Sequence, residues 1–260
     1  MSMTDEKEGK YLYAVISCQD AREFTARGIG EQGDPVYTIN HRRLAAVVSD
    51  SPMIEYDSSR RNMMAHNFVL EEVMEEFDLL PVRFNTIAPD ARSVGERLLA
   101  RRYEEFTQLL GQMEGRVELG LKAFWYEGPV FEEIVRENSR IRTLRDSLAG
   151  RSADETYYER IQLGEAVEKA LADKRWQDEE MILSRLRPHA HKTRTNKTIS
   201  DRMVLNAALL VDRAKEPIVD VAVQELDKEC GERLMFKYVG PVAPYNFVNI
   251  VVDWAAQGVA

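Results

Sequence analysis

The sequence predicts an α+β protein with two domains and a long helical arm. Strand-like runs and amphipathic helical runs are interleaved in both halves of the chain. Between the halves, the segment at about 129–188 has helical periodicity, although charged residues cover most of it. A length of 260 residues is enough for two domains of ordinary size. These three observations define the fold class that we expect.

The N-terminal domain is predicted to span 10–113, after a polar tail at 1–9. Its predicted elements are strands at 10–18, 35–40, 44–49 and 79–87 and helices at 20–27, 58–78 and 91–113. Asp20 is the expected cap of the first, short helix. Read from the first strand onward, this order is that of a ferredoxin-like split β-α-β fold with one added helix. A mostly antiparallel sheet with helices on one face follows from it.

The C-terminal domain is predicted to span 114–260 and to carry the helical arm. Its first strand, at 116–125, alternates apolar and polar residues, as a half-buried strand does. The arm at about 129–188 is interrupted near Gly150 and has a narrow apolar seam that includes Tyr158 and Ile161. Such a seam on a long helix is typical of a helical hairpin or a coiled coil.

The rest of the C-terminal domain reads as a further α+β segment. A polar loop precedes a strand at 202–211, a helix between Pro217 and Gly231, and strands at 234–239 and 247–252. The run KYVGPVAPYNF joins the last two strands. Its glycine and prolines predict a stiff corner, from which Tyr245 packs back against the second sheet.

Composition argues against several functional classes. A net charge of −9 disfavours general affinity for nucleic acid or for an anionic membrane. No apolar run approaches the ~20 residues that span a bilayer, and the N-terminus lacks the apolar region of a secretory signal. Two cysteines are too few for a disulfide framework. We therefore expect a cytoplasmic protein that binds neither nucleic acid nor a membrane.

The run GIGEQG at 28–33 has the glycine spacing of a dinucleotide-binding loop. Such a loop follows a strand and opens a helix, so that the helix N-terminus faces the pyrophosphate. Here a helix-like run precedes the glycines and a strand-like run follows them. We interpret the run as a turn, and a nucleotide-binding enzyme stays as the alternative.

Other reactive residues have ordinary structural interpretations. His66 lies on an apolar helical stripe without a nucleophile motif nearby, and Cys18 and Cys230 occupy apolar positions. The glutamates at 71, 72, 75 and 76 are assigned to the solvated face of the same helix. His189 and His191 stand among basic residues that would repel a cation, so an acidic-partner contact or a solvated loop fits them better. The sequence predicts no catalytic, cofactor-binding or metal-binding residues, and it favours a binding or assembly protein over an enzyme.

Seven stretches, taken in order, resemble the gas vesicle protein F/L family. They are YLYAV at 11–15, LAAVVS at 44–49, the helix with His66, LPVRFNT at 80–86, VELGLKAF at 117–124, MVLNAALLVDR at 203–213 and RLMFKYVGPVAPYNFV at 233–248. The similarity runs from about residue 10 to about residue 253. It departs from the family pattern at Asn85, where a glycine is usual, and at Val242 and Ala243, where Trp-Pro is frequent.

The resemblance implies a role in forming gas vesicles, the protein shells that give some microbes buoyancy. It implies a two-domain α+β protein that contacts the hydrophobic shell protein and other accessory subunits, without catalysis or cofactors. A soluble partner would cap the shell subunit by strand addition or by a groove contact. The candidate surfaces are the edge strand at 81–84 and the helical arm, and the candidate contact residues are Pro81, Arg83, Phe84, Arg187, Lys192 and Arg194. A general coiled-coil scaffold is the other alternative.

Overall fold

The computed structural model describes residues 8–30, 33–252 and 254, so most of the predicted polar tail lies outside the described residues. The α+β class is confirmed, and so is a long helix in the second half. By their contacts, the residues form two compact units. One contains the chain up to Glu118 together with the residues from Pro241 onward, and the other runs from Leu119 to Gly240.

The first unit is built on an antiparallel sheet whose central strand is buried. Its strands are β1 (Glu8–Ser17), β2 (Glu23–Arg27), β3 (Pro35–His41), β4 (Leu44–Pro52), β5 (Leu79–Pro81) and β6 (Ile87–Ala88). The order is β2-β3-β4-β1-β5, with β6 also on β1. β1 lies centrally because its run YLYAVI is aromatic and aliphatic on both faces, and all six of these residues are fully buried.

Three helical segments complete the first unit: α1 (Arg60–Glu76), a π-helical stretch (Ser93–Ala100) and α2 (Tyr103–Met113). α1 begins where the Oγ of Ser59 accepts a hydrogen bond from the N–H of Asn62. It buries the face that carries His66, Val69, Leu70, Val73 and Met74. The predicted helix at 91–113 is thus divided into a π-helical and an α-helical part.

The predicted helix at 20–27 is wrong, because these residues contain strand β2. Glu23 and Phe24 pair with Tyr37 and Val36 of β3. The pairing outweighs the local capping signal of Asp20. Four strands therefore precede α1, and the first unit lacks the helix that a split β-α-β order requires after its first strand.

The second unit has that order of elements instead. It comprises β7 (Arg116–Trp125), α3 (Glu127–Glu137), α4 (Ser139–Leu148), α5 (Tyr157–Leu186), β8 (Lys192–Thr195), β9 (Met203–Asp212), α6 (Glu216–Cys230) and β10 (Leu234–Val242). The sheet order is β10-β7-β9-β8. Helices follow the first and third of these strands along the chain, which is the split β-α-β pattern. The sequence alone did not indicate this order, because the polar run KTRT of β8 resembles a loop.

The helical arm consists of α3, α4 and α5, and α4 and α5 pack on each other. The structure does not confirm a coiled coil. Tyr158 and Ile161, which the sequence placed on the seam, are 76% and 43% exposed. The buried residues of α5 are Asp178, Ile182, Leu183 and Leu186, all near its C-terminal end.

The predicted strand at 247–252 is also wrong. The C=O of Pro244 accepts hydrogen bonds from the N–H groups of Phe247 and Val248, which makes a turn. Beyond this turn, Ile250 forms a single parallel bridge with Val82. The ring of Pro244 fixes φ at about −65°, which suits the start of a turn.

Candidate functional site

The predicted contact residues of the first unit lie at the β5 end of its sheet. Pro81 pairs with Ala14 of β1 and is buried. Phe84 packs edge-on against Tyr11 and His66, with ring centroids 6.3 and 5.8 Å apart. Arg83 is exposed, and its guanidinium donates to Oδ1 of Asn249 at 2.7 Å. Of the three, only Arg83 presents a largely exposed side chain.

The C-terminal segment of the chain, 241–252, covers this end of the sheet. Ile250 bridges Val82, which directly follows β5. Asn246 donates its N–H and its side-chain amide to the carboxylate of Glu118, at 2.8 and 2.5 Å. Tyr245 was expected against the second sheet, but its hydroxyl lies 2.6 Å from Nε2 of His66 on α1. The edge that the sequence suggested for strand addition is therefore occupied by the chain itself.

His66 is the centre of a buried polar cluster. Its Nδ1 lies 3.0 Å from the hydroxyl of Tyr11, and both ring nitrogens thus have tyrosine partners. Burial lowers the pKa of His66 to about 4, so the ring is neutral at pH 7. Burial raises the pKa values of Tyr11 and Tyr245 well above the ordinary tyrosine value, and it raises that of Tyr13 to about 12. The cluster is neutral, buried and hydrogen-bonded, as a packed structural histidine would be.

The backbone conformation of Asn85 explains why an asparagine can occupy a position where the family usually has glycine. Its φ is +67°, in the left-handed region where glycine is favoured and asparagine is tolerated. Its N–H donates to the hydroxyl of Tyr11 at 2.9 Å, and its Oδ1 accepts from the N–H of Tyr56 at 3.0 Å. The departure from the glycine of the family pattern therefore preserves the backbone turn.

Glu72 binds backbone groups of β2 at an irregularity in that strand. Its carboxylate accepts from the N–H of Thr25 at 2.7 Å, the hydroxyl of Thr25 at 2.8 Å and the N–H of Ala26 at 2.6 Å. These residues lie where the β2–β3 register shifts, between Phe24 and Arg27. Partial burial opposes ionisation, but the hydrogen bonds outweigh it and lower the pKa of Glu72. The sequence had assigned this glutamate to a solvated helix face.

The glycine-rich run does not have the setting of a nucleotide site. Strand β2 precedes it and strand β3 follows it, so its last glycine opens no helix. Glu31 and Gln32, in its middle, lie outside the described residues. Within 8–30, 33–252 and 254, no group of three or more His, Cys, Asp or Glu residues could hold a metal ion.

The predicted contact residues of the second unit lie at its sheet edge. Lys192 and Arg194 are exposed residues of β8, the last strand in the order of that sheet. β8 pairs antiparallel with β9, with Lys192 opposite Leu210 and Arg194 opposite Ala208. Arg187, at the end of α5, makes a two-bond ion pair with Glu180 at 2.9 Å. The structure thus places Lys192 and Arg194 on one strand and Arg187 shortly before it.

A buried ionic cluster anchors the C-terminal end of α5. Asp178 accepts from Nε1 of Trp125 at 2.7 Å and from the guanidinium of Arg233 at 2.7 and 2.8 Å. Nearby, Lys174 donates to Glu133 of α3 at 2.6 Å. Desolvation opposes the charge of Arg233, yet the hydrogen bond and attraction to Asp178 raise its pKa. These contacts join α3, α5, the end of β7 and the residue just before β10.

Large aromatic side chains are exposed at the N-terminal end of α5 and beyond its middle. Tyr157 and Trp176 are 61% and 66% exposed, and Tyr158 is more exposed still. The sequence pattern placed Tyr158 on the apolar seam and gave no signal for Tyr157 or Trp176. A periodicity signal cannot tell an apolar residue that packs within the chain from one that stays at the surface.

No helix within 8–30, 33–252 and 254 is both long and apolar enough to cross a membrane.

Comparisons with known proteins agree on one protein family. A family model described as gas vesicle synthesis protein GvpL/GvpF matches residues 9–249. Gas vesicle protein F of a Streptomyces species is 32% identical over 241 residues, which cover 92% of this chain and 99% of that protein. Gas vesicle protein F of Dolichospermum flosaquae is 25% identical over 242 residues, covering 92% and 97%.

Two solved structures are similar to the whole fold. The crystal structure of the gas vesicle protein GvpF from Anabaena matches with a TM-score of 0.82 at 26% identity, covering 94% of this chain and 100% of that one. GvpF from Microcystis aeruginosa matches with a TM-score of 0.77 at 25% identity, covering 93% and 99%.

Proposed function

We propose that this chain, which belongs to the GvpL/GvpF family of gas vesicle synthesis proteins, binds the hydrophobic shell protein and other accessory subunits while gas vesicles form. The relatives carry names of gas vesicle proteins and not of enzymes, which supports a non-catalytic role. The proposed location is the cytoplasm and the growing vesicle. A general coiled-coil scaffold is the alternative, and the family match favours the vesicle role.

The observation that carries this proposal is the exposed aromatic set on α5: Tyr157, Tyr158 and Trp176. Tyrosine and tryptophan are enriched at protein interfaces and among the residues that contribute most to binding. None of the residues from Tyr157 to Gln177 is buried within the chain. The arm is therefore suited to cover an apolar partner that would otherwise aggregate.

Capture of the shell protein tests the proposal. The full chain carrying Tyr158→Ser and Trp176→Ser is co-expressed with the small hydrophobic shell protein of a gas vesicle gene cluster, and the shell protein retained on the tagged chain is measured. We expect at least about tenfold less retention, since an aromatic residue that acts as a hot spot of an interface contributes ~2 kcal/mol or more. The thermal melting temperature should change by only about 1–2 °C, because both side chains are at the surface.

The matched control replaces two exposed aliphatic residues of α6, Ile218→Ser and Val221→Ser, which are 48% and 54% exposed. This control should retain the shell protein as the unmodified chain does. Undiminished retention by the arm variant, or equal loss in the control, contradicts the assignment to the arm. Failure of the unmodified chain to retain the shell protein contradicts the proposed function itself.

A further inference from the structure

The end strands of the two sheets differ in what covers them. At β2, the N–H groups of Thr25 and Ala26 are bound by Glu72. At β5, the following residue, Val82, is bridged by the C-terminal segment. In the second sheet, β10 contains Gly240 and Pro241 near its end, and the proline has no N–H to offer a further strand. β8, the remaining end strand, contains no proline and no glycine.

Some backbone N–H and C=O groups of β8 point away from its partner strand β9. The N–H of Asn196 donates to the C=O of Asn206 at 2.7 Å, and the register pairs Thr195 with Ala207 and Thr193 with Leu209. In an antiparallel pair, the backbone groups of successive residues point alternately toward and away from the partner strand. The N–H and C=O groups of Thr193 and Thr195 therefore point outward from the sheet.

The side chains at this edge carry concentrated positive charge. The run RPHAHKTRTNK at 187–197 has four Lys or Arg residues and no acidic residue, in a chain whose net charge is −9, and Arg187 among them is paired with Glu180. Lys192, Arg194 and Lys197 are exposed. Like charges on directly opposed strands are destabilising, so this edge disfavours pairing with a second copy of itself. It favours an extended segment that carries carboxylates.

We propose that β8 receives an extended acidic segment of a partner protein as an additional strand of the second sheet. Thr193 and Thr195 supply the backbone hydrogen bonds, and Lys192 and Arg194 attract the carboxylates. This inference goes beyond the proposed function, because it concerns a different surface and a partner of acidic, not hydrophobic, character.

Peptide binding to the full chain tests the inference. The probe is a fluorescent peptide of about eight residues that alternates glutamate and valine, which is enough for one strand. Binding is followed by fluorescence anisotropy at low salt, where rim charges act most strongly. We expect saturable binding, and at least about tenfold weaker binding to the variant K192E/R194E. The control R140E/R142E on α4 changes the net charge equally and should bind as the unmodified chain does.

A second variant, Thr193→Pro, separates backbone pairing from charge attraction. It removes an outward N–H without changing the charge, and an edge position tolerates proline. We expect it to lose binding while circular dichroism shows the same folded content. The inference is overturned if a proline-interrupted peptide of equal charge binds equally well, if T193P binds normally, if K192E/R194E binds normally, or if the unmodified chain does not bind.

Discussion

Glu72 shows how one side chain can close the end of a sheet. Its carboxylate binds three groups of Thr25 and Ala26, which are 47 and 46 positions away along the chain. Glu75, on the same helix, is exposed and belongs to the solvated face that the sequence predicted. A pattern of glutamates at helical spacing cannot distinguish these two, because the difference lies in the strand opposite and not in the helix.

Substituting Glu72→Gln should lower the free energy of unfolding at pH 7 by about 1 kcal/mol, because amide oxygens make weaker hydrogen bonds than a carboxylate. The folded-state pKa of Glu72 is lowered, so its contribution is present above the unfolded value near 4.5 and is lost as pH falls through the folded value. Urea unfolding of both proteins at pH 7 and below pH 4 measures this. The difference should shrink at the acidic pH.

The control for this measurement is Glu75→Gln, which we expect to change stability by less than about 0.5 kcal/mol at either pH. A Glu72→Gln effect that is independent of pH, or no larger than that of Glu75→Gln, would contradict the role of the ionised carboxylate.

At the scale of elements, the ionic cluster around Asp178 stabilises the packing of the C-terminal end of α5. Its carboxylate is only 5% exposed, and it satisfies both Arg233 and the indole N–H of Trp125. In the surface pair of Arg145 and Asp146, both side chains are more than half exposed. Solvent screens such a pair, whereas an unpaired charge at the Asp178 site would be costly.

Asp178→Ala should therefore destabilise the protein by about 3 kcal/mol, because it leaves an indole N–H without its acceptor and leaves the partly buried guanidinium of Arg233 with the more distant Glu133, at 3.5 Å, as its ion-pair partner. Urea unfolding at pH 7 measures the loss. Asp173→Ala, at an exposed position of the same helix, serves as the control and should change stability by under about 0.5 kcal/mol. Equal effects of the two substitutions would show that the cluster is not a stabilising anchor.

β2 and β8 are two strands that the local sequence did not indicate, and both lie at sheet ends. EFTAR and KTRT are short and contain no buried residue: EFTAR alternates only two apolar residues with polar ones, and KTRT has no apolar residue. By contrast, the predicted and observed bounds of β7 agree at 116–125, because its strand has buried apolar residues throughout. Where one face of a strand is buried, the alternation of apolar residues in its sequence is clear. At the edge of a sheet, pairing with the neighbouring strand determines whether a segment becomes a strand.

For the whole molecule, the C-terminal segment completes the first unit. It connects to α1 through Tyr245 and His66, which are 179 positions apart, and to the end of β5 through Ile250. Its Val251 carbonyl also accepts from Arg102 at 3.1 Å. Residues at the two ends of the chain thus share one hydrophobic and hydrogen-bonded cluster.

Ending the chain after Gly240 should accelerate hydrogen exchange at Val82 and the residues of β5 and lower the melting temperature. The truncation exposes a strand edge and removes a hydroxyl partner of His66. Hydrogen exchange followed by mass spectrometry measures both effects by segment. Ending the chain after Trp254 is the control, because it keeps the residues that make these contacts. Unchanged exchange near Val82 after the larger deletion would contradict the covering role.

Local patterning was sufficient for the α+β class, for the long helix and for the central strands, and the ordered stretches were sufficient for the family. These features depend on which side chains a segment buries, and the spacing of apolar residues within the segment indicates this. The partner-contact residues were placed by analogy alone, and their exposure could not be read from the sequence: Pro81 is buried, whereas Lys192 is exposed on an end strand.

Tertiary structure alone decided which sheet ends are closed and by what. The covering groups, Glu72 for β2 and the C-terminal segment for β5, come from distant parts of the chain. Backbone donors and acceptors at an edge must find partners, and the choice among water, a side chain and another segment is made when distant elements pack together. No local pattern encodes that choice, because the same strand sequence is compatible with each of these partners.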